Sequence, residues 1–145
     1  MSDKETCIEV CNRLLRGEIS AIETYEQALD KFQDDPEQSL LQRIRNDHQE
    51  SVIALEEHIV SMGAEPDTES GIWGGFVQAV EGTAKLLGES PALKILRKGE
   101  EHGIQDYQDA LADPDVMEEI KIDIRSQLIA RLKEHLVLLQ ELPAA

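Results

Sequence analysis

Apolar residues recur along this chain at alternating steps of three and four. Over residues 5–33, Ile8, Cys11, Leu15, Ile22, Tyr25, Leu29 and Phe32 keep that spacing, which predicts one long helix with a single core-facing stripe. Asp34-Asp35-Pro36 then stops the helix, and Pro36 suits the opening of the next one. Over residues 37–62, Leu41, Ile44, Val52, Leu55, Ile59 and Met62 form a second stripe, and Gly63 suits a C-terminal cap. Residues 64–74, with Pro66, Gly71 and Gly74, read as a loop. Residues 75–88 predict a short amphipathic helix through Phe76, Val77, Val80, Ala84 and Leu87, weakened by Gly82. Ser90-Pro91 is a helix start, so a third helix is expected over 91–111. Asp113-Pro114-Asp115 is a second tight break. A fourth helix follows over 115–141, with Pro143 just beyond it. No segment alternates as a strand does.

The pattern predicts a single all-α domain over residues 1–145. Two antiparallel helix hairpins are joined by a long connection over 63–90, which carries the short extra helix. Helices of this length suit a four-helix bundle, and the connection is long enough to cross it.

One stretch of the first helix returns in the third. Arg16-Gly17-Glu18-Ile19-Ser20-Ala21-Ile22-Glu23-Thr24-Tyr25-Glu26-Gln27-Ala28-Leu29 corresponds to Lys98-Gly99-Glu100-Glu101-His102-Gly103-Ile104-Gln105-Asp106-Tyr107-Gln108-Asp109-Ala110-Leu111, with six identical positions. In both copies the Glu falls where the stripe wants an apolar residue. His48 and His135 fall likewise at the centres of the second and fourth stripes. Each helix thus sends one metal-ligand type inward: Glu18, His48, Glu100 and His135.

A lone Glu or His on an apolar stripe is ordinarily structural. Four of them, one per helix and two inside a duplicated motif, point to a shared site. A buried carboxylate without a partner is costly, and either mutual hydrogen bonds or a cation would satisfy the group. Oxygen and imidazole donors suit a divalent Fe, Zn or Mn. Tyr25 and Tyr107, two turns beyond their Glu, can add phenol hydrogen bonds around the site. Counted from each tight turn, His135 lies several residues deeper than the other three. A longer turn after Leu111 would bring it level; otherwise Gln127 and Arg131 stand in its place. His58 and His102 fall at or beyond the edges of their stripes and are expected in solvent. Asp47, Glu50, Glu101 and Glu134 point about 100° from their ligand neighbours and are poor co-ligands.

Composition narrows the classes. Hydrophobic residues make up 41% of the 145, but aromatics only 3%, so aliphatic side chains must fill the core. The net charge of −16 argues against nucleic acid and anionic membrane surfaces as partners. No apolar run approaches the roughly 18 residues of a membrane span, and no signal peptide is evident. A cytoplasmic location is the resulting expectation. A homo-oligomer is open, since the apolar side of 75–88 could pair copies if it projects into solvent. Cys7 and Cys11, one turn apart, are no disulfide framework; they could bind a soft metal or sense oxidants, but small buried core residues are the expectation.

These residues resemble the ferritin-like superfamily: Glu followed at seven by Tyr in helices one and three, an inward His in helix two, and one long crossover. More closely, the chain is similar to a bacterial family of small ferritin-like four-helix bundles of unassigned function. That resemblance runs from about Cys7 to Leu142 and includes Gly17-Glu18, Asp47-His48, Met62-Gly63, Trp73, Gly99-Glu100, Tyr107, and Gln127 followed by His135. It implies the fold and metal binding. Di-iron members carry Glu-x-x-His, but this chain has Arg45 before His48 and Leu132 before His135. Bridging carboxylates are thus missing, which counts against di-iron oxygen chemistry.

Three functions follow. The first is a metal-binding ferritin-like protein in metal or oxidative stress handling. The second is a non-enzymatic bundle with a buried Glu/His network, acting in protein interaction. The third is a degenerate di-iron oxidase.

Overall fold

The computed structural model describes residues 3–31, 36–70 and 89–142, with side chains in the third helix from Leu93 onward. Phe32, Asp34-Asp35, Trp73 and the short helix expected over 75–88 lie outside the described residues. The described residues form four helices: α1 (Asp3–Lys31), α2 (Gln38–Ser61), α3 (Glu89–Ala112) and α4. The last comprises Glu118–Asp123, one π turn over Ile124–Leu128, and Ile129–Gln140. No strand occurs among the described residues.

Local chemistry accounts for the helix ends. Asp3 and Glu5 stand in the first turn of α1 and Lys31 in its last, each sign matched to the helix dipole. At the end of α2, Gly63 takes φ 86°. Its N–H donates to the Val60 carbonyl at 2.9 Å, and the Ala64 N–H donates to Ile59 at 3.2 Å. This is a Schellman cap, which needs a left-handed residue where Gly63 stands.

The fourth helix starts at Glu118 rather than near 115 as the pattern suggested. The Asp113 side chain accepts from the Asp115 N–H at 2.9 Å, and the Val116 N–H donates to the Asp113 carbonyl at 3.2 Å. That local turn competes with helix for the same backbone groups. The turn is therefore longer than expected. The π turn also fits an extra residue into the helix before His135. Together they correct the mismatch in level.

Cross-helix contacts give the directions. Glu18 meets His48, and Gln38 donates to the Leu29 carbonyl, so α1 and α2 are antiparallel. Asp47 pairs with His135, Ser51 with Arg131 and His58 with Asp123, so α2 and α4 are antiparallel. Tyr25 meets Glu100 and Tyr107 meets Glu18, so α1 and α3 are antiparallel. It follows that α2 and α3 run in the same direction, the arrangement a long crossover permits.

The core divides in two. One cluster holds Cys7, Cys11, Leu55, Ile59, Tyr107 and Ile120. The other holds Tyr25, Leu29, Leu41, Ile44, Leu96 and Leu139. Between them lie Glu18, His48, Glu100 and His135, the buried titratable side chains that the four stripes carry inward.

Candidate metal centre

Glu18, His48, Glu100 and His135 come together, none more than 4% exposed. His48 lies at the centre. Its Nδ1 meets Glu18 Oε1, and its Nε2 lies 2.8 Å from Glu100 Oε2. His135 Nδ1 lies 2.9 Å from Glu100 Oε1, and its Nε2 lies 2.8 Å from Asp47 Oδ2. The two imidazole centroids are 5.0 Å apart. Tyr25 donates to Glu100 Oε2 at 2.7 Å, and Tyr107 to Glu18 Oε2 at 2.6 Å. Tyr25 also stacks on the His48 ring, centroids 5.5 Å apart.

The tyrosine bonds cross. Each phenol serves the carboxylate of the other copy of the duplicated motif, because two helical turns separate it from its own Glu while the antiparallel partner brings the other alongside.

Asp47 is the residue that spacing along one helix missed. It points away from His48, as expected for neighbours on a helix, and so reaches His135 on α4. The signal was not its position relative to His48 but the antiparallel packing of α2 on α4. Gln127 and Arg131 do not replace His135: Arg131 donates to Ser51 at 3.0 Å and to Gln127 at 3.4 Å. His58 and His102 are half-buried rather than solvated, facing Asp123 at 2.8 Å and Asp106 at 3.4 Å. Cys7 and Cys11 are free thiols buried in the first core cluster.

Electrostatics follow from this arrangement. Burial opposes a charge on His48, but Glu100 and Glu18 outweigh it and raise its pKa to about 10. Burial likewise opposes the Glu100 carboxylate, but His48 and His135 hold it down at about 2. Burial, then the neighbouring carboxylate, pushes each tyrosine well above its ordinary value: Glu100 beside Tyr25 and Glu18 beside Tyr107. Both phenols therefore stay protonated and donate.

The donor set fits a cation. A neutral imidazole has one N–H and one lone pair. Yet both nitrogens of His48, and both of His135, face carboxylate oxygens. A neutral ring is one proton short of bonding both, and either a shared proton or a cation can fill that place. His48, Glu100 and His135 each offer one donor atom within 4.8 Å of the others. Donors about 2.1 Å from one ion stand at most about 4.2 Å apart, so a small closure would let them share it.

The DUF2383 profile, described as a domain of unknown function, matches residues 6–113. The chain belongs to the DUF2383 family. No curated protein matches it. A crystal structure described as ferritin like, diiron-carboxylate proteins from Bacillus anthracis str. Ames is similar, with a TM-score of 0.75, 22% sequence identity and 97% of each chain covered. The DUF2383 chain thus has the ferritin-like fold that the resemblance implied. No described helix is long and apolar enough to cross a membrane.

Proposed function

We propose that this DUF2383 protein is a metal-binding ferritin-like bundle that holds one divalent cation, Fe, Zn or Mn, in a metal-handling or oxidative-stress role. His48 Nε2, His135 Nδ1 and a Glu100 oxygen are the ligands. The observation that carries this reading is the pairing of all four imidazole nitrogens with carboxylates. With a cation between the rings, the remaining N–H of His48 donates to Glu18 and that of His135 to Asp47. Carboxylates on the far nitrogens of ligating histidines are the usual support for such sites. Glu18 is then an orienting partner rather than a ligand. Tyr25 holds Glu100, and Tyr107 holds Glu18.

Two imidazoles and one carboxylate leave positions open on the ion, where it would act as a Lewis acid or, if Fe, a redox centre. Arg45 and Leu132 stand where bridging carboxylates of a di-iron site would come from, so a single ion suits the residues better than a pair.

Elemental analysis of tag-free protein tests the proposal. About one equivalent of metal is expected, lost in Glu100→Gln and His135→Ala with helix content retained. Wild-type protein without metal, and unable to take it up after dialysis against Fe(II), Zn(II) and Mn(II), would end it.

A second reading has its own support. Glu18, His48, Glu100 and His135 are all internally partnered, and they separate two apolar clusters. A protonated network of this kind fixes helix register, and the bundle would then act through its surface in protein interaction.

A further inference from the structure

Among the described residues, nothing requires Gly17 to be glycine. It sits inside α1, where glycine is unfavourable relative to alanine. Its backbone is not left-handed. A Cβ built there would meet nothing within 4 Å among the described residues. Among the described residues neither conformation nor close packing accounts for it, and what the missing side chain leaves there is space.

That space belongs to a cavity of about 10 Å³ reaching Glu18 and His48, also lined by Gly103, Asp106 and Leu132. That is about the least space that holds one water. Its lining grades from outside to inside. Gly17 and Gly103 are half-buried and Asp106 is 24% exposed, whereas Glu18 and His48 are almost fully covered. Gly103 is tighter than Gly17, since a Cβ there would stand 3.1 Å from Leu132 Cδ1. The matching glycine of the duplicated motif, Gly99, is buried. The two copies therefore differ: the glycine of the first lines a cleft that reaches the network, while that of the second is covered.

We propose that the cleft between α1 and α3 at Gly17 is the passage by which water and a largely dehydrated cation reach the buried Glu/His centre. The cation half rests on the metal reading above; the water half does not. A space of about 10 Å³ has no room for a hydrated ion, which must shed most of its hydration shell before the carboxylates receive it. Loading is then slow and governed by the cleft, while affinity is governed by the ligands.

Gly17→Leu tests both halves. Leucine favours helix, and its Cβ would meet nothing within 4 Å among the described residues. The rest of its side chain exceeds the one-water space and blocks it, and circular dichroism checks that helix content is retained. With Co(II) followed by its visible absorption, the variant is expected to load and release the ion about ten-fold or more slowly than wild type, with Kd unchanged. Gly17→Ala, whose methyl fills less of the cleft, should fall between. Equal loading rates, or a weakened Kd with an unchanged loading rate, would overturn the cation passage.

Exchange of the His48 ring N–H with water, followed by NMR in metal-free ¹⁵N-histidine-labelled protein, reports on water alone. It should slow in Gly17→Leu; an unchanged rate would overturn the water passage. Wild type that binds no Co(II) defeats the metal reading and the cation half with it, while the exchange experiment still decides the water half.

Discussion

Tyr25 donates its hydrogen bond to Glu100, across the bundle, and not to Glu18 on its own helix. Tyr107 returns the relationship by donating to Glu18. The duplicated motif thus folds back on itself as an approximate two-fold, each copy supplying the donor that the other's carboxylate needs. Hydrogen bonds to a buried charge contribute about 1.5–3 kcal/mol. Tyr25→Phe and Tyr107→Phe should each lower stability by about that much in urea denaturation, with helix content unchanged. A loss below about 0.5 kcal/mol in both would show that the crossed bonds do not hold the network.

How much of this was legible beforehand depends on the kind of signal. Glu18, His48, Glu100 and His135 could be read because each interrupts a stripe, and a stripe is a property of one helix. The crossing of Tyr25 to Glu100 could not, because it depends on which helices are neighbours. Asp47 stayed hidden for the same reason: it lies off the α2 stripe yet faces α4. The late start of α4 reflects the Asp113 side-chain turn, a competition that periodicity does not register.

The pH dependence of stability should separate a proton-filled centre from a metal-filled one. In metal-free protein, His48 is raised from 6.5 to about 10, so its contribution is complete below about 6.5 and lost as pH rises through 10. Glu100 is lowered from 4.5 to about 2, so its contribution is complete above about 4.5 and lost as pH falls through 2. The metal-free bundle should therefore be most stable between pH 4.5 and 6.5. With a cation bound, the imidazoles must give up protons, and stability should rise from about pH 5 to about pH 8. Urea midpoints measured across pH, with and without chelator, check this. Identical profiles in the two conditions would rule out a metal-linked centre.

Cys11 offers a separate test of the core. Burial, and then Cys7 beside it, pushes its pKa from 9.0 to about 12. Alkylation proceeds through the thiolate, so native protein near neutral pH should label only as fast as it opens. Unfolding in urea should restore ordinary thiol rates at both cysteines. Prompt labelling of the folded chain would place the thiols at the surface.

Gly63 is the one described residue with positive φ, and its cap depends on that conformation. A side chain in the left-handed region costs about 1–2 kcal/mol. Gly63→Ala should therefore lower stability by about 1 kcal/mol or more, read from the urea midpoint, although its Cβ would touch nothing within 4 Å. Gly63→Asn, which tolerates that region better, should lose less. Equal stability of all three would mean that the Schellman turn can rearrange freely.

Asp47 gives the most discriminating substitution, because it is no ligand in the proposed site. It faces His135 Nε2, the nitrogen turned away from Glu100. If His135 holds a cation through Nδ1, Asp47 fixes the tautomer and angle of that ring. Asp47→Asn keeps the shape but removes the charge, and such changes cost about 10–100-fold in metal affinity. Competition against a chromophoric chelator would measure the loss, with helix content unchanged. Glu50→Gln, an exposed carboxylate on the same helix, removes the same charge and should leave affinity unaltered. If Glu50→Gln weakens binding as much as Asp47→Asn does, the field of an acidic surface explains the effect, and if neither weakens it, the ring is not oriented by its partner. If neither variant nor wild type binds, Asp47→Asn should instead weaken the metal-free bundle alone, because His135 Nε2 then loses the carboxylate it faces.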